Sequence, residues 1–186
     1  MSSIQQFWEP TLAVPALGAV VDEPRWYAIH TRARHEKAVT AQLERIGVTT
    51  YLPLIRQTHS WSDRQKTIQC VLFDCYTFVC LESYPQKYLH IVKTPGVVGF
   101  VGIRGVGLPI PDKEIEDIRA LLANDIPCTP YPFLRTGRRV RIRGGCMDGL
   151  EGILVAKNSD QSLVVSVEMI QRSLAVRIDG YDVEPV

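Results

Sequence analysis

Arg138-Arg139-Val140-Arg141-Ile142-Arg143-Gly144-Gly145-Cys146-Met147-Asp148-Gly149-Leu150-Glu151-Gly152-Ile153-Leu154 carries the clearest structural instruction in this chain. Arg139, Arg141 and Arg143 alternate with Val140 and Ile142. That period of two predicts a strand with an arginine row on one face and an aliphatic row on the other. Glycines follow at Gly145, Gly149 and Gly152, where the chain can reverse through backbone angles that other residues resist. A second apolar run begins after them. The stretch therefore predicts a basic strand, a glycine-shaped turn and a returning strand.

Downstream, strand patterns continue at Ser162–Val167, Ser173–Ile178 and Tyr181–Glu184, with a turn at Met169–Arg172. Four or five short strands with no helical pattern suit a small all-β barrel, because closure removes exposed edges. Upstream, Pro127, Pro130 and Pro132 fall within residues 124–136, which reads as a stiff linker. Residues 25–123 alternate strands and helices. Strands are expected at Trp26–Thr31, Thr49–Leu54, Cys70–Leu81 and Val97–Ile103. A first helix is expected from about Arg34 to Ile46, with Val39, Leu43 and Ile46 on one face and Gly47 as its stop. A short helix near Pro85–His90 is capped by Ser83. A third helix ends near Ala123, with Asp112 as N-cap and Ile115, Ile118 and Leu122 along one face. Residues 55–67 form a polar loop or hairpin arm, and residues 1–24, with three prolines, a mobile tail.

The composition bounds the function. With 186 residues, 46% hydrophobic, the chain suits one large or two small folded domains. A net charge of +1 provides no global field for nucleic acid or membrane, so such contacts must come from local clusters. No apolar run approaches the ~18–20 residues of a membrane helix. The five cysteines include no C-x-x-C pair, so buried free thiols in a reducing cytoplasm are expected. No zinc-protease, serine-hydrolase or phosphate-loop motif is present. A Cys75 nucleophile with His30 or His90 has no support in its spacing. The chain reads as a non-enzyme without cofactor or metal.

Taken together, residues 25–186 resemble the NusG family of bacterial transcription elongation factors. The marks are Trp26-Tyr27, Glu36-Lys37, the strand from Phe73 to Val79, and Thr94-Pro95-Gly96-Val97-Val98-Gly99-Phe100-Val101, followed by a stretch similar to a KOW motif. Thr31–Lys37, Trp61-Ser62-Asp63-Arg64 and Val167–Ser173 look more like the specialised UpxY and LoaP (RfaH-like) paralogues. Where the family commonly has Phe-Pro-Gly-Tyr, this chain reads Phe73-Asp74-Cys75-Tyr76, and Gln171 stands where the housekeeping factor typically has glycine.

The resemblance implies an α+β fold. An N-terminal α/β sandwich (25–123) with a central antiparallel sheet is joined by the Pro-containing linker (124–136) to a small SH3-like KOW barrel (137–186). It implies a cytoplasmic monomer that binds the beta-prime clamp helices of RNA polymerase, suppresses pausing and termination, and recruits a partner through the barrel. The polymerase pocket would use Tyr27, His30, Phe73, Tyr76, Phe78 and Phe100. Non-template DNA would lie near Arg32, Arg34, His35, Lys37, Arg64 and Lys66, with Trp61 interleaved for stacking. Met169, Ile170 and Arg172 would contact a small-subunit ribosomal protein, with the termination factor Rho as a second expectation. The competing reading is a KOW-type RNA-binding or ribosome-associated protein with no polymerase contact, carried by the arginine row alone. The modest net charge argues against it.

Overall fold

Among the described residues, three helices and nine strands occupy the first two thirds of the chain: β1 (Arg25–Thr31), α1 (Glu36–Arg45), β2 (Thr49–Tyr51), β3 (Leu54–Ser60), β4 (Gln65–Val71), β5 (Tyr76–Leu81), α2 (Tyr84–Val92), β6 (Val97–Phe100), β7 (Gly102–Ile103), β8 (Val106–Gly107), β9 (Pro109–Ile110) and α3 (Asp112–Ala123). Then come β10 (Cys128–Tyr131), β11 (Arg138–Arg143), β12 (Glu151–Lys157), β13 (Asp160–Val167), β14 (Arg172–Arg177) and β15 (Asp182–Pro185), with 3-10 turns at Gly145–Met147 and Glu168–Ile170. The computed structural model describes residues 23–60, 65–82, 84–124, 126–134, 137–157, 160–178 and 180–186. Residues 1–22 of the tail expected at 1–24, Trp61, Arg64 and the Ser83 cap lie outside them. The fold is α+β.

The N-terminal sheet is antiparallel in the order β2-β5-β1-β6, and β9 also pairs with β1. Alternation along β1 sends Trp26 and Ala28 into one apolar cluster and Tyr27 and Ile29 into another. α1 and α2 cover the second side through Val39, Leu43 and Ile91, all fully buried. Ile46, expected on the buried face of α1, is exposed, because the helix ends at Arg45. Gly47, at φ +74°, turns the chain away.

The strand expected over Cys70–Leu81 is broken at residues 72–75. The Tyr76 N–H donates to the Phe73 carbonyl at 3.2 Å, and Cys75 takes φ +66°. The polar arm forms the hairpin β3–β4. The strand expected from Val97 to Ile103 also splits, into β6 and the small β7–β8 hairpin. Asp112 is the first residue of α3 rather than its cap, a position filled by Pro111.

The C-terminal sheet runs β10-β14-β13-β12-β11-β15, all antiparallel. The β11–β12 hairpin forms as its sequence predicts, with Val140 and Ile142 fully buried. Gly145 and Gly149 shape the turn at positive φ, whereas Gly152 serves another need. A Cβ there would lie 2.5 Å from the Val164 carbonyl oxygen, so this glycine permits close approach of β13. Within the expected linker, Cys128–Tyr131 pairs with β14 as an edge strand, where the missing N–H of Pro130 is tolerated.

α3 lies between the two sheets. Ile115 and Ile118 pack into the cluster of Trp26, Phe73 and Phe78, while Leu121 packs with Val140, Ile142 and Leu163 of the C-terminal sheet.

Candidate interaction surface

An aromatic face sits on the side of the N-terminal sheet opposite α1. His30 and Tyr76 are directly paired across β1 and β5, and their rings stack at 5.4 Å. His30 is exposed and Tyr76 half-buried. Phe78, two residues on, shares their face and is fully buried. Phe73 reaches it from the turn before β5, edge-on at 6.2 Å. Tyr51 stacks on Phe78 at 6.3 Å, and Trp26 lies edge-on to Tyr51. The Arg119 guanidinium from α3 sits 4.6 Å from the Trp26 ring and 4.7 Å from that of Tyr51. The Tyr51 hydroxyl is buried without a hydrogen-bond partner, and burial pushes its pKa up to about 12 against the opposing charge of Arg119.

Tyr27 and Phe100 do not join this face. Tyr27 differs in strand parity from His30, and Phe100 pairs with Ile29. Both pack with Tyr84 on the α1–α2 side, each at 4.9 Å between ring centroids. Parity within β1 was readable from the sequence; the β1–β6 register was not. Trp26, Tyr51 and Arg119 were missed as members of the aromatic face. For Trp26, its even spacing from His30 was the available signal.

The C-terminal sheet covers much of the face. Val167, Ile170 and Leu174 belong to the same buried cluster as Phe73 and Phe78, and Met169 packs against it. Ile170 is only 5% exposed, so the apolar turn at Met169–Ile170, expected to present an exposed contact to a partner, is packed within the chain. Their 3-10 turn faces α3, with the Glu168 N–H donating to the Glu114 carboxylate at 3.1 Å. Lys113 pairs with Asp117 and also donates to the Gly149 carbonyl at 2.9 Å. Burial pushes the Glu114 carboxyl up to about 7, chiefly by desolvation. Asp117 is raised by the same cause, with Lys113 opposing. Gln171 ends the turn in the left-handed region at φ +50°, and Arg172 beyond it is exposed.

Arg32, Arg34, His35 and Lys37 are exposed around the start of α1. Lys37 donates to the Gln69 carbonyl at 2.8 Å, which ties α1 to β4. Arg34, Lys37, Gln69, Cys70, Asp74 and Cys75 line an open groove of about 640 Å³. Arg64 and the side chain of Lys66 lie outside the described residues. The arginine row of β11 is largely neutralised. Arg141 pairs with Glu151 at 2.5 Å and Glu184 at 3.8 Å, and Arg143 pairs with Glu184 at 2.6 Å. Among the described residues, no group of three His, Cys, Asp or Glu could hold a metal ion. No helix there is long and apolar enough to cross a membrane.

The NusG family, described as "Transcription termination factor nusG", matches residues 24–119. The chain belongs to the NusG family. Similar proteins include the transcription termination/antitermination protein NusG of Lactococcus lactis, 26% identical over 173 residues, covering 87% of this chain and 92% of that one. The NusG of Borreliella burgdorferi is 24% identical over 181 residues (87% and 98% covered), and that of Staphylococcus aureus strain N315 28% over 176 residues (88% and 97%). A solved structure described as "Domain interaction in Thermotoga maritima NusG" shares the fold, with a TM-score of 0.53 and 19% identity over 86% of this chain and 97% of that chain. Against the common NusG-family turn Phe-Pro-Gly-Tyr, the glycine position holds Cys75, and Cys75 keeps the left-handed backbone that glycine would adopt freely.

Proposed function

We propose that this protein is a transcription elongation and antitermination factor of the specialised UpxY and LoaP type. It binds the beta-prime clamp helices of RNA polymerase through the aromatic face and recruits a second partner through a KOW barrel formed by the C-terminal sheet. The carrying observation is the group His30, Tyr76, Phe73 and Phe78: a rigid aromatic floor with an exposed and a half-buried ring at its edge. Aromatics give large contact area at low entropic cost and dominate interface energetics. Gripping the clamp favours the closed elongating enzyme, which shifts a population without covalent chemistry. This reading assigns the exposed basic residues at the start of α1 to the non-template strand. Tyr27 and Phe100 support the floor from the opposite side of the sheet.

The same reading gives the packed arrangement a meaning. The polymerase face and the Met169–Ile170 turn cover one another, so engaging polymerase also frees the barrel for its own partner, a small-subunit ribosomal protein or Rho. The RNA-binding alternative loses its main support, since Glu151 and Glu184 occupy two of its three arginines.

The test is retention of core RNA polymerase on the immobilised protein. The wild type is expected to retain it and Tyr76→Ala to lose most of that retention. Equal retention by both would reject the aromatic face as the contact.

A further inference from the structure

Glu36 is a buried acid with an unusual set of partners. It opens α1, yet its side chain is only 5% exposed. One carboxylate oxygen, Oε1, accepts the Cys75 N–H at 2.8 Å and the Arg34 N–H at 3.3 Å. Both donors belong to residues in the left-handed region, Arg34 at φ +63° and Cys75 at φ +66°. Side chains there are strained, and such residues persist only where their surroundings hold them. Neighbouring bonds complete the frame. The Thr31 N–H donates to the Cys75 carbonyl at 2.8 Å, and the Arg32 N–H to the Gly96 carbonyl at 2.8 Å. The two strained residues stand at functionally different places: Arg34 within the basic loop before α1, Cys75 immediately before Tyr76 of the aromatic face.

We infer that Glu36 is a positioning residue: its carboxylate fixes the 73–76 turn and the basic loop 32–35 in one shared geometry, so that the aromatic face and the nucleic-acid face engage polymerase and DNA as a single rigid unit. The functional half of this inference rests on the polymerase reading above. Glu36 touches neither partner itself. It acts by holding two backbone N–H groups that would otherwise let their residues relax to ordinary negative φ. A charged acceptor suits this task, because charge-assisted bonds to N–H groups are shorter and stronger than neutral ones.

The experiment compares Glu36→Ala with the double variant Glu36→Ala/Cys75→Gly. Two readouts are taken: affinity for core polymerase, and hydrogen-exchange protection of the residue 75 amide. Glu36→Ala is expected to weaken polymerase binding about tenfold, the scale of one lost charge-assisted bond, and to lose protection at residue 75. Glycine at 75 adopts the left-handed conformation freely, so the double variant should recover affinity to within about threefold of wild type. Arg104→Gly is the control. It relieves the same kind of strain at φ +52° elsewhere in the N-terminal region, and should not restore binding to Glu36→Ala. Wild-type affinity in Glu36→Ala, or rescue by Arg104→Gly as complete as by Cys75→Gly, would overturn the inference. If the wild type fails to bind polymerase, the functional reading fails, while unchanged exchange at residue 75 in Glu36→Ala would separately refute the clasp.

Discussion

Replacing Glu114 by glutamine tests how the two sheets are held together. Glu114 projects from α3 toward the C-terminal sheet and accepts the Glu168 N–H. Desolvation raises its pKa most; the Glu168 N–H bond lowers it, the Glu168 and Asp117 charges raise it and the Arg139 charge lowers it, with Lys113 and Glu151 lining the same cleft. Its pKa of about 7 stands against an ordinary 4.5. Below pH 4.5 the group is protonated whether or not the sheets are packed together, and packing carries no penalty from it. Between 4.5 and about 7, packing must take up a proton, so the packed state weakens as pH rises. Above about 7 the loss is complete. At full value the interval is worth roughly 3 kcal/mol, and the water still reaching this carboxylate reduces that to about 1–2 kcal/mol. The packed-to-separated ratio should therefore fall about 5–30-fold from pH 4.5 to pH 8. Glu114→Gln removes this proton uptake, keeps an oxygen to accept the Glu168 N–H, and should hold most of the pH 4.5 ratio at pH 8, with Asp117, also raised by burial, supplying the residual pH dependence. The assay is the NMR shift of the Glu168 amide across this range. A wild-type midpoint near 4.5, or identical titrations for both proteins, would refute the reasoning.

Other substitutions separate floor, cover and strain. Phe78 is fully buried, so Phe78→Ala should cost about 3–5 kcal/mol and lower the melting temperature sharply, making it a poor probe of binding beside Tyr76→Ala. Ile170→Ala should remove about 2 kcal/mol of contact between the sheets and increase polymerase retention; decreased retention would count against mutual covering. Gln171→Gly relieves a left-handed residue and should stabilise the C-terminal sheet by up to about 1 kcal/mol in thermal unfolding, since glycine's unfolded-state entropy offsets part of the gain.

The parts legible in the sequence were those governed by local periodicity. Strict alternation of arginine with valine and isoleucine announced β11, and glycines announced its turn. Helix α1 was legible from Val39 and Leu43. The break at 72–75 was hidden because apolar and aromatic side chains run up to it on both sides, and Asp74 is its one turn-forming residue, with neither glycine nor proline at the turn. Its left-handed residue is a cysteine held by Glu36, a partner 39 positions away. Tyr27 was grouped with His30 by the family resemblance, against the parity that strand geometry imposes. Glu36 entered the sequence reading only as part of the Glu36-Lys37 family mark and Glu114 not at all; only the packing of other elements over them buries one and half-buries the other. The Met169–Ile170 turn was legible as a contact surface, but its partner in this structure is the chain's own aromatic face.

The most direct test of the account is a photo-crosslink from the edge of the aromatic face. A photoreactive phenylalanine at position 76, in the full-length chain mixed with core RNA polymerase, should crosslink to the beta-prime subunit. The yield should rise when Ile170→Ala loosens the cover. Crosslinking to another subunit, or none in either background, would contradict the claim that this face is where the protein grips polymerase.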